Sequence, residues 1–300
     1  MGTLDKKLAR IYIEISNVCN LKCDFCPEVH RDKKIMSFEL FQSLLDQSVG
    51  QTEEVALHLM GEPLAHPRLE QFLDACRGRS VPVNFTTNGT LLKNEGRARL
   101  LLHPAIRQVN FSLQSFTSNF PSKDVGPYLA EIFDFVKVAR LERSDMYVNF
   151  RLWNLNSAQS SFEENELFLG PIFREYGVVD MEGLDLRERK SYRLVDRVYL
   201  HFDSRFRWPS LADSEISPKG FCHALDTHIG IHADGTVVPC CLDKEAVLSL
   251  GNASQPGGLE QALKSQRAVR MTEGFRRGDL IEDLCRRCDY IRRFAGKRRV

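Results

Sequence analysis

Residues 10–27 read RIYIEISNVCNLKCDFCP. A β-rich run, Arg10–Ile15, is followed at once by Cys19, Cys23 and Cys26 in the spacing C-x3-C-x2-C, which places the cysteines on a loop at the C-terminal end of a strand. Thiolates are the ligands that soft metals and iron–sulfur clusters select. Three of them cannot close a tetrahedral zinc site or saturate a four-iron cube, so one coordination position stays open, as catalytic metal sites require. A zinc knuckle completed by His30, or three free thiols, is the plainer alternative.

Outward from this stretch, β-rich runs alternate with helical patterns. Further strands are predicted at Glu54–His58, Val81–Thr86, Gln108–Leu113, Met146–Leu152 and Val178–Met181, with helices at Ser37–Ser48, Pro67–Arg77, Leu92–Leu102, Val125–Leu141 and Glu163–Tyr176. Ser37 is the expected N-cap of the first helix. Successive βα units imply an α/β fold with a parallel sheet, curled into a partial or full barrel or spread open. From Asp185 to Gly220 the pattern gives way to charge, aromatics, Pro209 and Pro218. The expected organisation is therefore a domain at 1–184, a connecting segment at 185–220 and a small cysteine-anchored module at 221–300. Within that module Thr227–His232 and Thr236–Pro239 flank the turn pair Asp234-Gly235, a hairpin signal.

The chain has 300 residues, 43% of them hydrophobic, and 41 Lys+Arg against 40 Asp+Glu for a formal charge of +1. Disorder and fibrous repeats are excluded by that core content, and the overall charge makes no case for nucleic acid or membrane. Nine cysteines in short-spaced groups suit metal binding in a reducing compartment better than disulfides. No run approaches a membrane span of about 18 apolar residues. The N-terminus carries charges where a signal peptide needs its apolar region, and Lys6 stands where a myristoylation motif needs Ser or Thr. A soluble cytoplasmic protein is expected.

Asn17–Pro27, including Phe25 before the third cysteine, resembles the signature of the radical S-adenosylmethionine (SAM) enzymes. Gly61-Glu62-Pro63 resembles the family's GGEP element, with Met60 in place of the first glycine. Thr86-Thr87-Asn88-Gly89 is similar to its TNG turn, and Ser112 and Gln114 to the ribose-contacting end of its fourth strand. The resemblance covers about residues 10–182 and implies a partial (β/α)6 TIM-like barrel. It implies that Cys19, Cys23 and Cys26 hold a [4Fe-4S] cluster whose fourth iron is chelated by SAM. Reduction then yields a 5′-deoxyadenosyl radical that takes a hydrogen atom from substrate. Phe25, Gly61, Glu62, Pro63, Asn88, Ser112, Gln114 and Arg151 become the expected SAM contacts, with Asn149 as an alternative to Arg151.

Cys222, Cys240, Cys285 and Cys288 make a second group, with Cys241 as a surplus neighbour. Cys222-x12-Gly235-x4-Cys240 resembles the opening of the family's SPASM extension, and four thiolates suit the shortened Twitch form with one closed auxiliary [4Fe-4S] cluster. The spacing is most like that of the family's butirosin-pathway dehydrogenase, which oxidises an alcohol on an aminocyclitol. A zinc ribbon uses the same pattern. Cys76 reads as core, and no base is assigned among His58, His66, His223, His228 and His232. A closed auxiliary cluster suits a two-electron oxidation, because it can accept the electron that leaves the substrate. The expectation is an oxidoreductase acting on a small polar substrate and served by a flavodoxin- or ferredoxin-type reductant. A peptide or protein maturase and a zinc-stabilised RNA-binding module are the alternatives. Nine Lys/Arg against four acids between Arg276 and Val300 read as a solvated face, an anionic-substrate contact or an RNA contact; Arg205 and Arg207 are the other candidate substrate contacts.

Overall fold

The computed structural model describes residues 7–155, 160–178, 190–205 and 207–294. Its strands are β1 (Leu8–Ile13), β2 (Thr52–Ala56), β3 (Val83–Thr87), β4 (Ile106–Ser112), β5 (Tyr147–Leu155), β6 (Ser191–Val195), β7 (Val198–Ser204), β8 (His228–Ile231), β9 (Thr236–Val238) and β10 (Gly251–Asn252). They form one sheet in the order β10-β9-β8-β1-β2-β3-β4-β5-β7-β6. From β8 to β7 every pairing is parallel. Antiparallel strands finish both ends, so the series is a partial barrel with two edges. Tyr12 on β1 and Arg151 on β5 line one cavity although β2, β3 and β4 lie between them. The sheet therefore curls.

The helices are α1 (Phe38–Ser48), α2 (Leu69–Gly78), α3 (Glu95–Leu100), α4 (Gln114–Asn119), α5 (Gly126–Glu142), α6 (Ser160–Tyr176), α7 (Gly258–Leu263), α8 (Gln266–Arg277) and α9 (Asp283–Arg286). Ser37 caps α1, its hydroxyl accepting from Leu40 N at 3.2 Å. Ile11, Ile13, Val55, Phe85, Phe111, Phe150 and Phe202 are fully buried, as are Phe41, Phe72, Ile132 and Ile172 on the helices. Side chains of this kind contribute about 1.5–3 kcal/mol each on burial. Parallel sheets are usually apolar on both faces. Here β5 instead alternates strictly between buried and half-buried positions, because helices cover only one face.

The other face is polar. Glu54, buried, accepts from Arg10 Nε at 2.6 Å and Asn84 Nδ2 at 3.2 Å and pairs with Arg107. A side-chain ladder continues from Asn84 through Asn110 (2.8 Å) to Asn149 (2.9 Å).

The strand expected at Val178–Met181 is not seen: Val178 lies in no strand, and the rest falls outside the described residues. The sixth barrel strand is β7, inside the segment expected to connect the domains. Val198, Leu200 and Phe202 face the helices while Tyr199 and His201 face inward, and that alternating polarity made the stretch look like a charged linker. The hairpin around Asp234-Gly235 is present as β8–β9. Its β8 pairs in parallel with β1, with Arg10 opposite His228, so the C-terminal module extends the sheet. Among the described residues no helix is long and apolar enough to cross a membrane.

Candidate active site and its two cysteine centres

The first cysteine loop leaves β1 and is tied down from four sides. Ser118 and Asn119, at the end of α4, accept from Asp24 N (2.9 Å) and Lys22 N (2.8 Å). Asn119 Nδ2 also donates to Cys23 Sγ at 3.1 Å. The thiol of Cys26 donates to Cys23 as well; these hydrogen bonds bring Cys23 down to about 7 against burial and raise Cys26. A thiol already inclined to ionise, next to two others on one loop, is the donor chemistry an iron–sulfur cluster takes.

Gly61 has φ +80°, and a methyl there would collide with Ser16 O and stand 2.9 Å from Val18 O. Only glycine lets this loop press against the start of the cysteine loop. Glu62 N donates to Val18 O at 3.0 Å. The Glu62 carboxylate accepts from Leu64 N (2.9 Å) and Asn88 N (2.8 Å); burial nonetheless raises it to about 7. Asn88 donates to Asn20 Oδ1 at 2.9 Å. Gly61, Glu62, Pro63 and Asn88 thus form the floor under the cysteine loop.

Beside the loop is a cavity of about 230 Å³ lined by Phe25, Cys26, Ser112, Gln114 and Arg151 among others. It brings together five of the residues expected to contact cluster or cofactor. Gln114 is the first residue of α4, not the end of β4, and its Oε1 is buried without a partner. Asn149 is spent on Asn110. His58 also lines the cavity with an unpartnered Nδ1, and burial holds it at about 3, neutral. Arg205 pairs with Asp24 at 3.0 Å and stands 5.9 Å from the Phe25 ring; Arg207 pairs with Asp213.

A second cavity, about 400 Å³, is ringed by Cys222, Cys240, Cys241, Cys285 and Cys288 with Leu242, Met271, Leu280, Leu284 and Ile291. Burial raises Cys222, Cys240 and Cys285, and takes Cys288 up to about 12. Such thiols stay neutral until a strongly positive group replaces their protons. Four such thiolates round one space are a donor set that a zinc ion or a four-iron cluster can take. Cys240 has Cys241, Cys222 and Cys285 as electrostatic neighbours, and Cys241 has Arg10, Cys222 and Tyr12. Tyr12, Trp153, Cys241 and Leu242 line both cavities.

Sequence reasoning missed the clamp joining these parts. Glu14, fully buried on the polar face, accepts from Arg31 at 3.1 and 3.0 Å, from Met60 N at 3.2 Å and from Ala233 N at 3.2 Å. Glu245 accepts from His30 N (3.0 Å) and Arg31 N (3.2 Å), while Lys244 Nζ donates to Glu28 O at 2.7 Å. A glutamate inside an isoleucine-rich strand was the available signal for the first. The basic C-terminal segment is partly internal: Arg286 donates to Leu280 O (2.7 Å) and Arg293 to Asp203 (2.5 Å), and Lys297, Arg298 and Arg299 lie outside the described residues.

Residues 13–154 match the family model of the radical SAM superfamily, and residues 222–289 that of an iron–sulfur cluster-binding domain, SPASM. A tungsten-containing aldehyde ferredoxin oxidoreductase cofactor-modifying protein of Pyrococcus furiosus is 33% identical over 89 residues, a match that takes in 28% of this chain and 25% of that relative. A probable GTP 3',8-cyclase of Methanosarcina mazei is 25% identical over 294 residues, covering 86% of this chain and 85% of its own. The structure of BtrN in complex with AdoMet and 2-DOIA superposes with a TM-score of 0.60 at 16% identity, covering 95% of this chain and 94% of that one. Streptococcus suis SuiB bound to its precursor peptide SuiA gives 0.61 at 14% identity, covering 97% and 74%. These two likenesses show the fold.

Proposed function

Because the chain belongs to the radical SAM superfamily and carries a SPASM-type iron–sulfur module, we propose that it is an oxidoreductase that removes two electrons from a small polar substrate. Cys19, Cys23 and Cys26 hold one [4Fe-4S] cluster with SAM, and Cys222, Cys240, Cys285 and Cys288 hold a second. Loaded in this way, the two sites supply hydrogen-atom abstraction from a substrate carbon and a place for the departing electron. The chain supplies position and exclusion. Gly61 lets its loop close on the start of the cysteine loop, Glu62 fixes that loop from beneath, and Ser112 and Gln114 line the cavity beside it. Phe25, Leu59, Trp153 and Trp208 form apolar walls that keep water from a reactive carbon.

One observation carries this reading: the cavity bordered by Cys26 and the cavity ringed by four thiols share the wall Tyr12–Trp153–Cys241–Leu242. An electron leaving a substrate in the first has one layer of side chains to cross. Unpaired cysteines throughout support a reducing, cytoplasmic setting with a flavodoxin- or ferredoxin-type electron donor.

Anaerobic reconstitution should give about eight irons per chain, two four-iron clusters. Cys19→Ala and Cys285→Ala should each halve the iron, Cys240→Ser should lose as much as Cys285→Ala, and Cys241→Ser should lose none. In turnover the product should be oxidised with no net consumption of reductant. One reducing equivalent consumed per SAM cleaved would refute the oxidative outcome.

A further inference from the structure

We propose that the exposed side of the first cysteine loop, centred on Val18 and Ile35, is the docking face for a small acidic protein that carries one electron at a time. The proposal rests on the enzymatic reading above and names the partner from which its first cysteine centre takes an electron.

The three cysteines of the loop are covered differently. Cys26 borders the cavity. Cys23 lies under α4, whose Asn119 donates to its sulfur at 3.1 Å. Cys19 is exposed, and its sulfur accepts only from within its own loop, from Leu21 N at 3.4 Å. In turnover SAM and substrate occupy the cavity side, so an electron arriving from outside has Cys19 as its open approach. In the second group no cysteine is exposed.

The surface beside Cys19 is apolar. Val18, its neighbour in the chain, is 37% exposed and Ile35 is 49% exposed. Ser16 and Ile35 pair as an isolated antiparallel bridge, and Met36 N donates to Ile15 O at 2.9 Å. Asn17 closes on the same segment, donating from N to Lys34 O at 3.1 Å and accepting from Lys34 N at 2.7 Å. The segment after the cysteines is thus folded back against the residues before them, which brings Ile35 to Val18. Single exposed apolar side chains are ordinary. Two together beside a thiol that meets electrons from outside mark a contact. The face is also preformed: Asn17 Nδ2 donates to Asp32 O at 2.8 Å, and Arg31 is held by Glu14 and by Lys244 O. Little has to be ordered when a partner arrives.

The charges select that partner. Within the loop Arg31 is matched by Glu14 and Asp24 by Arg205. Lys22, Lys33 and Lys34, all exposed, then outnumber Glu28 and Asp32. Lys33 and Lys34 directly precede Ile35. A mildly positive rim round an apolar centre suits an acidic protein that binds briefly, because steering speeds the encounter and a contact under about 1,200 Å² releases after transfer.

The test uses the anaerobically reconstituted protein, a bacterial flavodoxin and a two-iron ferredoxin as probes, and dithionite as a reductant that needs no docking face. A zero-length carbodiimide should join Lys33 or Lys34 to carboxylates of at least one carrier, read by peptide mass spectrometry. Carrier-driven 5′-deoxyadenosine formation should slow about 10-fold or more in Ile35→Glu and in the double variant Lys33→Glu/Lys34→Glu, where attraction becomes repulsion. It should also slow as salt rises from about 50 to 300 mM. With dithionite the same variants should stay within about twofold of wild type, with iron content unchanged. Ile35→Ser should fall between. A carrier-driven rate unchanged in both variants would overturn the proposal, because the carrier then docks elsewhere. So would equal slowing with dithionite, which would make Ile35 a brace of the cysteine loop, or the absence of cross-links from both lysines with either carrier. Failure of dithionite to drive SAM cleavage in the wild type would instead defeat the enzymatic reading, and cross-linking would still decide the docking face.

Discussion

Glu14 offers the sharpest test of how the site is held. The Glu14→Ala change removes a fully buried carboxylate and strands three groups: the Arg31 guanidinium, 15% exposed, and the backbone N–H groups of Met60 and Ala233. Breaking a buried pair from one side costs about 3–5 kcal/mol. At about 2–4 °C per kcal/mol, Tm should fall by about 6–20 °C. Because the three groups sit on the first cysteine loop, the Gly61 loop and the C-terminal hairpin, iron should be lost from both cysteine centres together. Calorimetry under anaerobic conditions gives the first quantity, and iron per chain in Cys19→Ala and Cys285→Ala backgrounds gives the second. Arg31→Ala should cost a similar amount, and the double variant clearly less than the sum. A Glu14→Ala protein melting within about 2 °C of wild type, less than 1 kcal/mol, would show that the clamp carries little, and the argument for a jointly built site would fail.

Gly61→Ala should abolish iron binding at Cys19, Cys23 and Cys26 while sparing the second centre, because φ +80° and the contact with Ser16 O and Val18 O leave no room for a methyl; unchanged iron content refutes it. Removing Glu54 by Glu54→Ala leaves Arg10 and Arg107, 30% and 52% exposed, to water and should cost about 1.5–3 kcal/mol in urea unfolding; a cost under about 0.5 kcal/mol, as for a surface pair, would refute that. For His58 the folded value is about 3 against an ordinary 6.5. The unfolded chain therefore binds the extra proton between those values, and stability drops as pH falls through that window. His58→Gln should flatten the loss of Tm between pH 6.5 and 4.5, read by thermal melts; an unchanged slope argues against a buried neutral imidazole.

Strands β1 to β5 were legible because an apolar residue recurs at each helix-facing position and a turn or cysteine loop follows. β7 was not, since Arg193, Arg197 and Asp203 in and around its hairpin outweigh Val198, Leu200 and Phe202 when charge is averaged over a window. Of the Val178–Met181 run, read as a strand from its paired valines, only Val178 is among the described residues, and it lies in no strand. The convergence of Cys19, Cys23 and Cys26 follows from short spacing. That Cys222 meets Cys285 across more than sixty residues rested on resemblance alone, and local pattern carries no such information. Nor does it show that Glu14, Arg31 and Glu245 meet, because each is an ordinary charge until the chain closes.

The parallel pairing of β1 with β8 has a consequence for biosynthesis. On a ribosome releasing the chain from its amino end, one border of β1 stays bare until the segment around residue 231 has emerged, since no earlier strand takes that place. Such an uncovered border attracts other chains, and distant pairings form slowly. Completion of the leading cysteine loop therefore belongs after translation, when Lys244 and Glu245 have arrived to shape it, and a nascent chain stalled before them should recruit chaperones.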